Sequence, residues 1–131
     1  MQVGSRFVAS IEASSHVAFK NAVITSSEGD TQLSLKQLTP VRLLKNEFYR
    51  QVQAAEISGA SKEILSELLG KGRSRKGMFE GNLHEGELEI GQVSSMIKNI
   101  LPASEILRNI WNEFVESTGR LSSLHQQIIT S

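Results

Sequence analysis

The feature that most constrains this sequence is an apolar repeat at helical spacing near its C-terminal end. It follows Ser104, whose hydroxyl can cap a helix, and its members recur three and four positions apart, as on one buried helix face. Gly119 is expected to interrupt this helix. The repeat predicts a long helix with the core candidates Ile106, Leu107, Ile110, Trp111, Phe114 and Val115.

Shorter stretches of the same kind predict that the chain is mainly α-helical. Capping residues precede three of them, and a glycine closes two. The predicted helices run from Ser14 to about Ile24, from Asn46 to about Ser58, from Ser61 to Gly70 and from Leu88 to Ile100. Between the first two, alternation of apolar and polar residues around Pro40 predicts a short extended segment.

The organisation expected from these patterns is one helical region over residues 1–131. The opening residues 1–10 are typical of the end of a strand followed by a turn. Residues 14–70 are expected to hold helices with the short extended segment, and 88–131 the C-terminal helices. Residues 71–87 combine many glycines with charge, which predicts a long loop.

Composition limits the classes of function. Lys plus Arg equal Asp plus Glu at 14 each, so no net field draws the chain to nucleic acid or to an anionic membrane. No apolar run approaches the roughly 20 residues that span a bilayer. The absence of cysteine excludes disulfides and thiolate ligands and is compatible with a cytoplasmic location.

Two glycine-containing segments could contact a ligand. In Val3-Gly4-Ser5-Arg6 the backbone N–H groups and the hydroxyl could meet a phosphate, although Gly-Ser also occurs in ordinary turns. Gly91-Gln92 opens a predicted helix, where an amide side chain and free N–H groups could point at a ligand.

A cationic cluster begins the 71–87 loop and comprises Lys71, Arg73, Arg75 and Lys76. It could hold a phosphate or an acidic partner, but a solvated loop is the favoured interpretation. His16, His84 and His125 are far apart and have no partner at metal-ligand spacing, so no metal site is predicted. His84 alone, beside Glu85, is considered near chemistry.

Taken together, three segments resemble the nitronate monooxygenase (2-nitropropane dioxygenase) family and the related FMN-dependent enoyl-acyl-carrier-protein reductases. Residues 2–10, with Gly4-Ser5-Arg6-Phe7, are similar to the family's GTRF segment at the last barrel strand. Residues 39–46 are similar to the stretch that follows. Residues 81–93 resemble its G-D-x-x-x-G-x-x-x-A-G-Q segment. The sequence departs from these motifs at Ser5, Asn82 and Ile90.

The resemblance implies an FMN-binding (β/α)8 barrel of which this chain is a C-terminal part, with the last strand and a helical extension. It implies that Gly4 and Ser5 contact the flavin phosphate and that Gln92 lies on the flavin or substrate side. This agrees with phosphate sites built from the loops after the last two barrel strands. The family's catalytic histidine lies upstream, so no catalytic residue is nominated here.

The expected function is therefore that of part of an FMN-dependent oxidoreductase acting on a small-molecule substrate, inactive alone. Nitronate oxidation and enoyl reduction stay open. A second interpretation is a non-enzymatic helical module that self-associates through exposed helix faces. A third is a loop that binds phosphate or acids through Arg73 and Arg75.

Overall fold

The computed structural model describes residues 3–129, and the side chains of residues 3–123. The described residues are mostly helical with one small antiparallel hairpin, which confirms the mainly α-helical part of the predicted fold class. The elements are α1 (Gly4–Val8), α2 (Val17–Thr25), β1 (Thr31–Ser34), β2 (Val41–Leu44), α3 (Glu47–Ile57), α4 (Lys62–Leu69) and α5 (Ala103–Ile129). A π-helical turn covers Arg75–Phe79, and a 3-10 helix covers Gln92–Met96.

Helix α2 begins later than predicted, because its cap is a histidine and not a serine. The Nδ1 atom of His16 accepts a hydrogen bond from the N–H of Ala18 at 3.1 Å. Lys20 on this helix is buried, and its ammonium donates to the carbonyls of Ser10, Ile11 and Ala13 at 2.6, 3.2 and 2.8 Å. Three carbonyls satisfy the three donors of an ammonium group, so Lys20 fixes the connection that precedes α2.

The hairpin explains the predicted extended segment. Strands β1 and β2 pair antiparallel, with Thr31 opposite Leu44 and Ser34 opposite Val41. Leu35, just after β1, has a φ of 55° and lies buried in the connection. The hairpin is thereby fixed against α3 and α4.

Helices α3 and α4 start at the predicted caps. Asn46 Oδ1 accepts from the N–H of Tyr49 at 2.9 Å, and Ser61 Oγ accepts from the N–H of Ile64 at 3.5 Å. The two helices and the hairpin enclose one apolar cluster, made of Leu35, Leu43, Phe48, Tyr49, Val52 and Leu65. A second cluster joins α2 to the segment around residue 90 and contains Ala9, Phe19, Val23, Leu44, Leu88, Ile90 and Ile97.

The predicted helix from Leu88 to Ile100 is wrong. Leu88 and Ile90 are buried in an extended segment that pairs with β2. The N–H of Leu44 donates to the carbonyl of Leu88, and the N–H of Ile90 donates to the carbonyl of Arg42. Glu89 pairs with Leu43 as an isolated antiparallel bridge. The alternation at residues 88 and 90 is that of a strand, with period two, and only Gln92–Met96 is helical.

The 71–87 segment is more ordered than a loop. Its backbone forms the π-helical turn Arg75–Phe79, and Gly77 in that turn lies against the buried Gly86. A long loop was predicted for this segment, and the structure adds one short π-helical turn within it.

Helix α5 differs from its prediction in cap, continuity and burial. The carboxylate of Glu12, and not Ser104, accepts from the N–H of Ala103 at the first turn, and the helix continues through Gly119. Of the predicted core residues, Ile106 is 1% exposed and Ile110 is partly buried, whereas Leu107, Trp111, Phe114 and Val115 are more than half exposed. Helix α5 packs against α1. Its first turn carries the buried Ile106.

Candidate functional site

The predicted phosphate turn lies at the start of α1. Residues 1–2 of the expected strand fall outside the described residues, and Gly4–Val8 form a short helix, so the strand prediction was wrong for this part. Gly4 is exposed, and a Cβ placed on it would meet nothing within 4 Å. Within the described part of the chain, the N–H groups of Gly4 and Ser5 donate to no protein acceptor, as is general for the first turn of a helix.

Ser5 connects this turn to the second predicted ligand segment. Its Oγ accepts a hydrogen bond from the backbone N–H of Gly91 at 3.1 Å, across 86 residues of sequence. A side chain on Gly91 would place its Cβ 2.7 Å from Ser5 Oγ. The contact therefore needs glycine at position 91, and it brings Ser5 next to the residue that precedes Gln92.

Gln92 is exposed and begins the 3-10 helix Gln92–Met96. It faces a cleft of about 650 Å3, to which the hairpin contributes Thr31 and Arg42. Arg42 also borders a shallow depression on the Ser5 side, together with Gly91 and the carboxylate-bearing Glu89. Ser5 and Gln92 thus line two depressions that share Arg42, and Gly4 precedes Ser5 outside both linings.

A set of polar contacts holds α1 in this position. Arg6 donates to the backbone carbonyl and the side-chain oxygen of Asn99 at 3.1 and 2.6 Å. Ser10 forms a parallel bridge with Leu101, and Glu12 caps α5. The Gly4-Ser5 turn is therefore anchored on the chain between the 3-10 helix and α5.

The cationic cluster is mostly engaged with the protein itself. Arg75 pairs with Glu80 at 3.1 Å and Lys76 with Glu85 at 2.5 Å. Arg73 donates to the carbonyls of Leu69 and Glu85 and stacks over the ring of Phe48, 4.5 Å from its centroid. This arrangement favours a structural role for the cluster over the alternative of a phosphate loop.

Two acidic residues of the same segment have shifted pKa values of opposite sign. A hydrogen bond with Lys76, and the charge of that lysine, hold the pKa of Glu85 below its ordinary value. Burial raises the pKa of Glu87, and the neighbouring Glu89 adds to this effect, while a hydrogen bond with Ser74 and the charge of Arg73 oppose it. His84 is exposed, and its carbonyl accepts from the N–H of Phe48.

Sequence reasoning missed Arg42 and Lys20 as candidates. The signal for Arg42 was its place in the extended segment after Pro40, in the middle of the stretch 39–46 that resembles the family. For Lys20 the signal was a lone cation on an otherwise apolar helix. Among residues 3–129, no group of three His, Asp or Glu is arranged to hold a metal ion. Over the same residues, no helix is long and apolar enough to cross a membrane.

The fold is similar to part of a FabK-like barrel protein. The chain superposes on the structure of FabK from Thermotoga maritima with a TM-score of 0.82 and 32% identity, covering 91% of this chain and 38% of that one. A point mutant of the same FabK gives a TM-score of 0.73, 28% identity, and coverages of 91% and 35%. The chain thus spans little more than a third of the structures it matches.

The family follows from the sequence comparison. The model of the nitronate monooxygenase family matches residues 1–113, most of the chain. The chain belongs to the nitronate monooxygenase family, which confirms the resemblance drawn from the three motifs.

Proposed function

We propose that this chain supplies the C-terminal part of an FMN-dependent oxidoreductase, with nitronate oxidation as its reaction. Membership of the nitronate monooxygenase family supports the reaction class. The similarity to FabK favours one alternative, reduction of an enoyl thioester, in an enzyme with the same cofactor. A bound FMN would supply two-electron chemistry, taking electrons from a nitronate or from a reduced nicotinamide.

In this proposal Gly4 and Ser5 hold the phosphate of FMN. The single observation that carries it is the hydrogen bond between Ser5 Oγ and Gly91 N–H, because it joins the two segments that the family motifs mark. Within the described residues, the N–H groups of Gly4 and Ser5 donate to no protein acceptor, and a Cβ added to Gly4 would meet nothing within 4 Å. Backbone N–H groups at a helix start bind phosphate well, since they donate without the cost of ordering side chains.

Gln92 is proposed to face the flavin or the substrate. It follows Gly91 directly and is exposed on the same surface region as Ser5. Its amide can both donate and accept, which suits the polar edge of a flavin ring or a nitro group. No residue of this chain is proposed as the catalytic base.

The isolated chain is expected to be inactive, because it spans 35–38% of the FabK chains that it matches. The proposal can be tested in a chimera in which this chain replaces the matching segment of Thermotoga maritima FabK. We expect the chimera to bind FMN at one equivalent, measured by absorbance after desalting. Tight FMN binding and turnover by the 131-residue chain alone would overturn the expectation of incompleteness.

The same approach separates the two reactions once the natural upstream segment is joined to this chain. Oxygen uptake with propyl-2-nitronate is expected to exceed oxidation of a reduced nicotinamide with an enoyl thioester. The reverse ranking would favour the enoyl reductase. A cytoplasmic location remains a prediction from composition.

A further inference from the structure

The cleft between the hairpin and the 3-10 helix is lined by the kinds of side chain that are typical of a ligand site. Its volume is about 650 Å3, and it is bordered by Thr31 and Arg42 on one side and by Gln92, Val93, Ser95 and Met96 on the other. Ligand sites combine apolar walls with a few placed polar groups. This cleft has both, and its charged group is Arg42.

Arg42 is held in place without being neutralised. Its Nη1 donates to the carbonyl and the hydroxyl of Thr31, both at 3.3 Å, and the side chain is partly buried. Within the described part of the chain, no carboxylate lies within 4.0 Å of its guanidinium. The guanidinium is therefore anchored by neutral acceptors, and its Nη2 and Nε donors face no protein partner in the described residues.

Arg42 differs in this respect from the arginines of the 71–87 segment. The guanidinium of Arg73 donates to two carbonyls and stacks on an aromatic ring, and that of Arg75 pairs with a carboxylate. A planar guanidinium with adjacent free donors matches the two oxygens of a carboxylate, nitronate or phosphate. The free donors of Arg42 therefore favour an oxyanion at this side chain.

The opposite wall of the cleft carries two accessible apolar side chains beside the polar Gln92 and Ser95. Val93 is 46% exposed and Met96 is 79% exposed, although both are large apolar side chains. Met adapts its shape to irregular apolar ligands. A ligand whose anionic group meets Arg42 would place its remaining part on these two side chains.

We propose that this cleft binds an oxyanion carried on an apolar body, with the guanidinium of Arg42 as the anion-recognising group and Val93 and Met96 as the apolar wall. That this ligand is the substrate of the oxidoreductase rests on the proposed function. The binding itself does not, since it needs neither flavin nor turnover. Glu28 lies on the rim of the cleft and weakens the attraction for anions.

Titration of the chain with hexanoate, acetate and hexyl phosphate tests this proposal. Binding is followed by NMR through the Nε–Hε group of Arg42 and the side-chain amide of Gln92. We expect saturable shifts of both signals, with hexanoate binding several-fold tighter than acetate. The comparison of hexanoate with hexyl phosphate distinguishes a carboxylate from a phosphate ligand.

The variants give the decisive comparison. Arg42→Gln is expected to weaken hexanoate binding at least tenfold, whereas the control Arg50→Gln removes an exposed arginine paired with Glu47 and should leave it unchanged. Equal binding by Arg42→Gln and the unmodified chain would overturn the proposal. So would shifts that never saturate.

Arg42→Gln also removes the contacts to Thr31, so a second variant keeps the test independent of the hairpin. Val93→Asp leaves Arg42 and its anchors intact and places a negative charge at an exposed position of the cleft. It should weaken hexanoate at least tenfold, and Glu28→Gln should tighten it. Undiminished binding by Val93→Asp contradicts the site even when FMN binding by the chimera succeeds.

Discussion

Gly77 and Gly86 lie in direct backbone contact where the π-helical turn crosses the turn after Asn82. A Cβ on Gly86 would overlap the Cα of Gly77, and a Cβ on Gly77 would lie 2.7 Å from the carbonyl oxygen of Glu87. Both glycines are buried. The crossing fixes the path of the chain into Leu88 and Ile90, and thereby the position of Gly91.

Gly86→Ala is expected to destabilise the fold by about 2–4 kcal/mol, because its neighbours are backbone atoms that cannot move away. Chemical denaturation measures this free energy. The matched control is Gly119→Ala, which lies within α5 with nothing within 4 Å of the added Cβ. That change should stabilise the helix by roughly 0.5–1 kcal/mol. Equal effects of the two substitutions would contradict the crossing.

Asn46 is expected to stabilise the fold by more than an ordinary helix cap does. Its Oδ1 caps α3, while its Nδ2 donates to the carbonyls of Leu83 and Gly86, both at 2.8 Å. Asn46→Ala should therefore cost roughly 2–4 kcal/mol, since two partly buried carbonyls lose their donor. Ser61→Ala, which removes a cap alone, should cost about 1 kcal/mol. The comparison of the two unfolding free energies checks this ranking, and a larger loss for Ser61→Ala would refute it.

Lys20 is expected to be a structural cation. Lys20→Met keeps the length of the side chain but leaves the carbonyls of Ser10, Ile11 and Ala13 without their donor, so a loss of about 2–4 kcal/mol is expected. Lys62→Met, at an exposed position in the first turn of α4, should change stability by less than about 0.5 kcal/mol. Thermal unfolding of the two variants decides, and a neutral Lys20→Met would exclude this role.

Glu87 is expected to make stability depend on pH. Its pKa is raised in the folded chain, so its contribution is fully present below the unfolded pKa and is lost as the pH rises through the folded value. Glu87→Gln should therefore raise Tm at pH 7, and the gain should disappear as the pH falls below the ordinary carboxyl range.

Glu85→Gln provides the opposite control, because the pKa of Glu85 is lowered. Its contribution is present above the unfolded pKa and is lost as the pH falls through the folded value. This variant should lower Tm slightly at neutral pH, and the loss should disappear in acid. A Glu87→Gln variant with the same pH profile as the parent would show that Glu87 is not perturbed.

Helix α5 is expected to promote self-association of the chain. Leu107, Trp111, Phe114, Val115 and Leu121 are all more than half exposed and follow helical spacing. Exposed apolar stripes of this kind favour association, because association removes apolar surface from water. Sedimentation should show oligomers that the double change Trp111→Glu with Phe114→Glu disperses, whereas Asn109→Glu with Asn112→Glu on the other face should not. A clean monomer at high concentration would refute the prediction.

The parts of the fold that the sequence predicted are those controlled locally. Asn46 and Ser61 cap helices through neighbouring N–H groups, and Gly70 closes α4, so the chain itself contains the signal. The segment at Leu88 was misread because apolar residues two apart also occur on a helix, and only the pairing with the hairpin decides between the two. The exposure of Trp111 could not be read from periodicity, which marks an apolar face and not what covers it.

The sequence nominated three residues of the candidate site, but it could not predict the geometry of the contacts around them. The motifs marked Gly4, Ser5 and Gln92, yet the bond between Ser5 and Gly91 depends on how distant segments pack. Arg42 was not predicted as a site residue, because a charged residue in a short strand normally faces solvent. Its role depends on Thr31, its anchor on the paired strand, which no local pattern reveals.

If the N–H groups at Gly4 and Ser5 hold a flavin phosphate, a charge placed beside them should weaken FMN but not riboflavin, and binding of both by the chimera with FabK measures this. Gly4→Asp adds a charge in open space, and Gly4→Asn is its neutral match. We expect Gly4→Asp to bind FMN at least tenfold more weakly than Gly4→Asn, while riboflavin, which lacks the phosphate, binds equally to both. Equal FMN binding by the two variants would contradict it.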